Sequence, residues 1–149
     1  MKAVVLILGT MPGSESLRQR QYYAHGPNAF WKIMAVLGIE GESYEQRCMR
    51  LTKAGIALWD VVESCERTGS LDSKIRNPRP NDIGAFVDRH PELRLVIFNG
   101  KKAEDLFSKL CDTLASNVDA VRMPSTSPAN ARKGKVGEWV GFLRPLVGS

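Results

Sequence analysis

Four short apolar runs punctuate the chain: AVVLIL (3–8), GIALWD (55–60), LRLVIFN (93–99) and the weaker VDAVRM (118–123). The first and third are almost uninterrupted, the pattern of strands covered on both faces. Helical spacing fills the gaps. NAFWKIMAVLG sets Phe30, Ile33, Met34 and Leu37 on one side and stops at Gly38. NDIGAFVDRH starts from Asn81 as a cap and ends before Pro91. KKAEDLFSKLCDTL follows the third run, and GEWVGFLRPLV closes the chain, weakened by Gly141 and Pro145. The alternation β-α-β-α-β-α-β-α predicts an α/β fold with a parallel four-stranded sheet and helices on both faces.

Ligands of such sheets bind beyond the carboxyl ends of the strands. The segments leaving the four runs are GTMPGSES, WDVVES, NGKK and MPSTSPANAR. Each carries glycine, a short polar side chain or a carboxylate. Together they predict a site on one sheet edge.

A length of 149 residues bounds the chain to one domain, 1–149, with room for a core. No apolar run reaches membrane-spanning length, and MKAVVLIL runs into a turn without a cleavage site, so it reads as a core strand. The net charge of +5 permits a polyanion partner without requiring one. Basic residues cluster at Arg18/Arg20, Lys101/Lys102 and Arg132/Lys133/Lys135. Cys48, Cys65 and Cys111 form no CxxC or Cys/His spacing, so neither a metal nor a disulfide framework is expected, and a reducing cytoplasm fits.

GTMPGSES lacks the Gly-Lys-Ser/Thr ending of a P-loop and the GxGxxG spacing, which disfavours an NTPase or a dinucleotide enzyme. In QRQYYAHGPNAFW, Asn28 reads as a helix cap, and Phe30 and Trp31 as core. Tyr22 and Tyr23 lie outside the helix, where an aromatic face could stack on a base. His25 reads equally as structural or catalytic. In MPSTSPANAR, Ser127 before Pro128 reads as a helix cap followed by proline at the first helical position, a place for an anion such as a DNA phosphate. Met123 is a candidate apolar wedge.

GTMPGSES, YYAHGPNAFW, LWDV, SLDSKIRNPRPNDI, VIFNG and PSTSPANA resemble, in order and over nearly the whole chain, the uracil-DNA glycosylase superfamily. They are most similar to its hypoxanthine-DNA glycosylase group. The resemblance implies a three-layer α/β/α sandwich. It also implies base-excision repair: a deaminated base in double-stranded DNA is flipped out and its N-glycosidic bond hydrolysed, by a monomer without a cofactor.

Carried over by motif, the resemblance makes Asn28 the catalytic asparagine, since Gly9-Thr10-Met11-Pro12-Gly13 lacks the water-positioning Asp, Asn or Glu of other branches. Tyr23 matches the aromatic under the flipped base. Asp60 stands where uracil-specific relatives have a base-reading asparagine. Apart from the resemblance, the backbone amides of the Thr10–Met11 turn or the Asn99 amide are placed to meet O6 of a base whose N1–H Asp60 accepts, which completes the expected base-binding set. MPSTSPAN, from Met123 through Ser125, Thr126 and Ser127 to Asn130, matches the segment that enters the duplex, and Ser14 and Arg132 are further candidate DNA contacts. Gly26-Pro27 departs from the group's proline-then-basic pair.

A neutral asparagine orients water and stabilises an oxocarbenium-like sugar, so the rate must come from positioning and leaving-group stabilisation. The rival readings are a mismatch-specific uracil/thymine-DNA glycosylase, a non-catalytic nucleic-acid-binding domain and an enzyme of free nucleosides.

Overall fold

The computed structural model describes residues 3–147, apart from 12–15, 17, 18, 20, 25, 26, 67–75, 112, 113, 129, 131 and 132. Four parallel strands form the main sheet: β1 (Val5–Gly9), β2 (Ile56–Asp60), β5 (Leu95–Asn99) and β6 (Asp119–Met123), in the order β2-β1-β5-β6. The two central strands are the two most apolar runs. Every residue of β1 is buried.

Five helices are described: α1 (Phe30–Val36), α2 (Tyr44–Lys53), α3 (Ile83–Arg89), α4 (Lys101–Leu110) and α5 (Lys135–Val147). Side chains alternate across the strands and divide the core in two. Val5, Ile7, Ile56 and Ile97 pack with Phe30, Ile33 and Met34 of α1, Leu51 of α2 and Trp139 and Leu143 of α5. Leu6, Leu8, Val96 and Phe98 pack on the other face with Ile83 of α3 and Ala103, Leu106 and Phe107 of α4. This is the three-layer α/β/α arrangement.

Two elements depart from the simple alternation. Helix α2 precedes β2 and buries only Leu51, so it has almost no apolar stripe to reveal it. Its capping chemistry makes up for that. Ser43 Oγ accepts from the Gln46 amide at 3.1 Å, and Gln46 Oε1 accepts from the Glu42 amide at 2.8 Å. The second is an antiparallel ribbon of β3 (Val62–Glu66) and β4 (Arg76–Pro80) after β2. Two prolines within RNPRP hide β4 from a strand pattern, and a two-stranded ribbon tolerates them because its outer edges need no pairing.

Two caps are also corrected. Helix α3 is capped by Asp82, whose Oδ1 accepts from the Ala85 amide at 2.9 Å, while Asn81 donates its Nδ2 to the Asp60 carbonyl at 2.8 Å. Ser127 and Pro128 do not begin a helix: they lie in a bend and a turn, and the last helix starts at Lys135.

Candidate active site at the carboxyl edge of the sheet

The strand register aligns four chain exits. Gly9 pairs with Asp60, Leu8 with Phe98, and Asn99 with Met123. Chain order reverses between β1 and β5, so Gly9 and the end of β5 flank the position where an open α/β sheet leaves a crevice.

Over Gly9 two polar groups meet. A methyl group added at Gly9 would stand 2.7 Å from Asp60 Oδ1 and 3.5 Å from the Tyr23 hydroxyl. Only a residue without a side chain lets Asp60 approach the backbone this closely, whereas the Tyr23 hydroxyl stands at ordinary contact distance. Asp60 is buried, although it carries a carboxylate. Burial pushes the Tyr22 phenol well above its ordinary pKa, and the charge of Asp60 pushes it further, so Tyr22 stays a neutral hydroxyl.

Tyr23 sits in the left-handed region at φ 55°. For a tyrosine this costs roughly 1–2 kcal/mol, and the surroundings over-determine it. The Tyr22 amide donates to the Tyr44 hydroxyl at 3.1 Å, and the Tyr22 carbonyl accepts from Trp31 Nε1 at 3.0 Å. On the other side, the Ala24 amide donates to Ser16 Oγ at 3.0 Å. The Tyr23 ring stacks on buried Phe30 at 4.2 Å and 22°. Arg47 lies over the Trp31 ring at 4.9 Å and buttresses the same wall.

Asn28 is half-buried, just before α1. Its Oδ1 accepts from the Phe30 amide at 2.9 Å, a local turn that fixes the side chain and meets one unpaired donor at the helix start. The N-cap position is Ala29, not Asn28 as the sequence predicts, and Asn28 closes the turn one residue earlier.

Asn99 and Thr126 are not laid out as expected. The sequence places the Asn99 amide against a base. Its Nδ2 instead donates to the Tyr23 hydroxyl at 3.1 Å and to Thr126 Oγ1 at 3.0 Å, and its Oδ1 accepts from the Thr126 amide at 2.9 Å. Both N–H donors are thus committed inside the protein. Thr126 was read as a DNA contact, yet it is 0% exposed, and its carbonyl accepts from the Ala29 amide at 2.9 Å.

Met123 is likewise no wedge. It ends β6 with 9% exposure, packed among Phe30, Ile97 and Trp139. Alternation along β6 places it on the same face as Val121, toward that core.

The outer part of the loop is cross-tied. The Ser127 amide donates to Ser125 Oγ at 3.2 Å, so it is not a free helix-start donor. Asn130 Nδ2 donates to the Ser125 carbonyl at 3.1 Å. Lys135 Nζ donates to the carbonyls of Ser127 at 2.9 Å and Asn130 at 2.8 Å, and Trp139 Nε1 to that of Pro124 at 2.7 Å. Partial burial lowers the pKa of Lys135. Ser14, His25 and Arg132 lie outside the described residues. Thr10 is buried at the edge, its carbonyl accepting from the Val62 amide at 2.9 Å, and Met11 packs on the core of α3 and α4.

Sequence reasoning missed Ser16, Trp31, Tyr44, Lys135 and Trp139 as supports. Each acts through a polar tip on a backbone group distant in sequence, which no spacing pattern reveals. Among the described residues no cluster of three His, Cys, Asp or Glu could hold a metal ion. Two surface cavities of about 470 and 610 Å³ lie elsewhere: Gly9, Tyr23, Asn28, Asp60, Asn99 and Thr126 line neither.

A family model described as the Uracil DNA glycosylase superfamily matches residues 1–143. A Methanosarcina acetivorans protein named hypoxanthine DNA glycosylase is 36% identical over 145 residues, covering 94% of this chain and 90% of that one. A Methanosarcina barkeri protein of the same name is 39% identical over 102 residues, covering 66% of this chain and 65% of that one. A solution NMR structure of a candidate uracil DNA glycosylase from Methanosarcina acetivorans superposes with a TM-score of 0.79 at 35% identity, covering 97% of this chain and 91% of that one.

Proposed function

This chain belongs to the uracil DNA glycosylase superfamily, and from that premise we propose that it is a monofunctional DNA glycosylase for deaminated bases, with hypoxanthine the favoured substrate. The observation that carries the choice of base is the buried carboxylate of Asp60 over Gly9, beside Tyr23. An ionised carboxylate only accepts hydrogen bonds. Hypoxanthine offers N1–H there, whereas adenine offers a bare N1. The names of the two Methanosarcina relatives point the same way.

In this reading the damaged nucleotide leaves the stack and lies against Tyr23. Asp60 accepts from N1–H, and backbone amides of the Thr10–Met11 turn meet O6. Asn28, held by the Phe30 amide, directs its remaining polar capacity at a water and at the sugar. The C1′–N9 bond breaks, the water oxygen bonds to C1′, and the proton it releases ends on the departing base. Ser125, Ser127 and Asn130 approach the phosphates of the damaged strand, joined by Ser14 and Arg132. The partner is duplex DNA. The protein acts as a monomer of one domain, 1–149, in the cytoplasm. No helix among the described residues is long and apolar enough to cross a membrane, in keeping with that location.

The test is incubation with duplexes carrying deoxyinosine, deoxyuridine or deoxyadenosine at one position, followed by alkaline cleavage. Cleavage at deoxyinosine well above deoxyuridine, with none at deoxyadenosine, is expected. Tight duplex binding without cleavage of any substrate would make the chain a non-catalytic binding domain.

A further inference from the structure

We propose that Thr126 is a positioning residue that ties the placement of Asn28 to the seating of the DNA-facing loop, an inference that rests on the glycosylase reading above. All three of its polar groups are used, and all inside the protein. Its amide and hydroxyl form a closed pair with the Asn99 side chain, donating at 2.9 Å and accepting at 3.0 Å. Its carbonyl accepts from Ala29, the residue after Asn28, at 2.9 Å.

The same Asn99 amide donates to the Tyr23 hydroxyl at 3.1 Å. Three segments that the sequence keeps far apart, 21–24, 28–30 and 124–130, thus meet at one buried joint on the end of β5. The fit is close. Gly100, at φ 99°, brings the backbone so near the loop that an added methyl would stand 2.8 Å from Ser125 Cβ. Trp139 Nε1 holds the loop's first residue, Pro124, at 2.7 Å.

Such a joint has two consequences. The loop cannot shift outward at Thr126 without pulling on the Ala29 amide, and so on the turn that aims Asn28. The wall at Tyr23 and the turn at Asn28 are also indexed to the same strand-end amide, so the stacking surface and the group facing the sugar keep a fixed separation. Placement of this kind matters most to the rate of the bond-breaking step, where an error of about 1 Å costs on the order of 10²-fold. It matters little to phosphate contacts made by the loop's outer residues.

Two substitutions separate this role from a merely structural one. T126V keeps the shape but removes the hydroxyl and orphans one Asn99 N–H. T126S keeps the hydroxyl but gives up a buried methyl. Single-turnover excision of deoxyinosine, equilibrium DNA binding, thermal midpoint and hydrogen exchange at the Ala29 amide are measured for wild type and both variants.

The expected result is a rate about 10–10²-fold lower for T126V with DNA affinity within about threefold of wild type, and faster exchange at Ala29. T126S is expected to recover most of the rate even where its thermal midpoint falls as far. Rates that follow thermal stability instead of the hydroxyl overturn the proposal, as does T126V excising at the wild-type rate. A wild-type protein that excises nothing refutes the glycosylase reading itself and with it this role. That result is distinct, because the two variants are then compared with an inactive parent.

Discussion

Replacing Gly9 with alanine puts a methyl group into the narrowest point of the site. The added carbon would stand 2.7 Å from Asp60 Oδ1, whereas ordinary contacts begin near 3.4 Å, so the carboxylate must retreat by about 0.7 Å. The Tyr23 hydroxyl, at 3.5 Å from the same point, need not move. The backbone raises no objection, because Gly9 has no positive φ and loss of unfolded-chain freedom favours alanine by about 0.4–1 kcal/mol. Overpacking costs about 1–3 kcal/mol, leaving a modest net loss of stability. In the proposed reading the displaced acceptor is the one that meets the base, so excision of hypoxanthine should slow by roughly 10–10²-fold, or about 1.4–2.7 kcal/mol of barrier. Single-turnover kinetics on a deoxyinosine duplex measure this, with the thermal midpoint recorded beside it. The same glycine change in an Asp60→Ser background, where the obstructing oxygen is withdrawn, should cost much less, so that the double variant loses less than the sum of the two single changes. Wild-type rates for Gly9→Ala, or equal costs in both backgrounds, would refute the reasoning that Asp60 reads the base from above Gly9.

Asn28→Ala should slow excision about 10²–10³-fold with DNA affinity retained, by analogy with the loss of one positioned polar group, and lower stability by about 1 kcal/mol through the lost bond to the Phe30 amide; a rate within a few-fold of wild type would show the residue to be a turn-former alone. Asp60→Asn should reduce hypoxanthine excision and weaken discrimination against adenine in competition binding, since an amide can turn a donor or an acceptor to the base; unchanged discrimination at normal thermal stability would remove Asp60 from the pocket. Met123→Ala should destabilise by about 2–5 kcal/mol while Met123→Leu is nearly neutral, as for a buried core residue; unaltered thermal unfolding with lost duplex affinity would instead restore a wedge.

The sheet was legible because its two central strands are covered on both faces and so write unbroken apolar runs. The strand-end site followed from the fold class, since Gly9, Asp60 and Asn99 are the last residues of their strands. What stayed hidden is tertiary. Helix α2 buries one residue and announces itself only through Ser43 and Gln46. Met123 opens the loop that resembles the duplex-entering segment, but strand parity with Val121 turns its side chain inward. In PSTS, Ser125, Thr126 and Ser127 share the same short hydroxyl chemistry. Nothing local separates the buried joint from its half-exposed neighbours; the Asn99 side chain does, and it is 27 positions away from Thr126.

If Asn28 is the catalytic group proposed above, the way the site is supported explains how so weak a group can suffice. Asn28 is neutral and cannot act as a strong base, so its contribution depends on being aimed before the substrate arrives. The structure meets that demand with backbone-directed bonds. Phe30 fixes the amide of Asn28, Thr126 fixes Ala29, and Tyr44, Trp31 and Ser16 fix the residues on either side of Tyr23. Each such bond contributes about 1 kcal/mol net, enough together to hold Tyr23 at its left-handed φ despite a cost of roughly 1–2 kcal/mol. The strain is therefore borne by folding and not by DNA binding. Phosphate contacts can then be spent on unstacking the nucleotide, the one cost that no protein fold can meet in advance. A deaminated base, already mispaired, keeps that cost low, so in the proposed reading discrimination begins in the duplex and is completed over Gly9 by the carboxylate of Asp60.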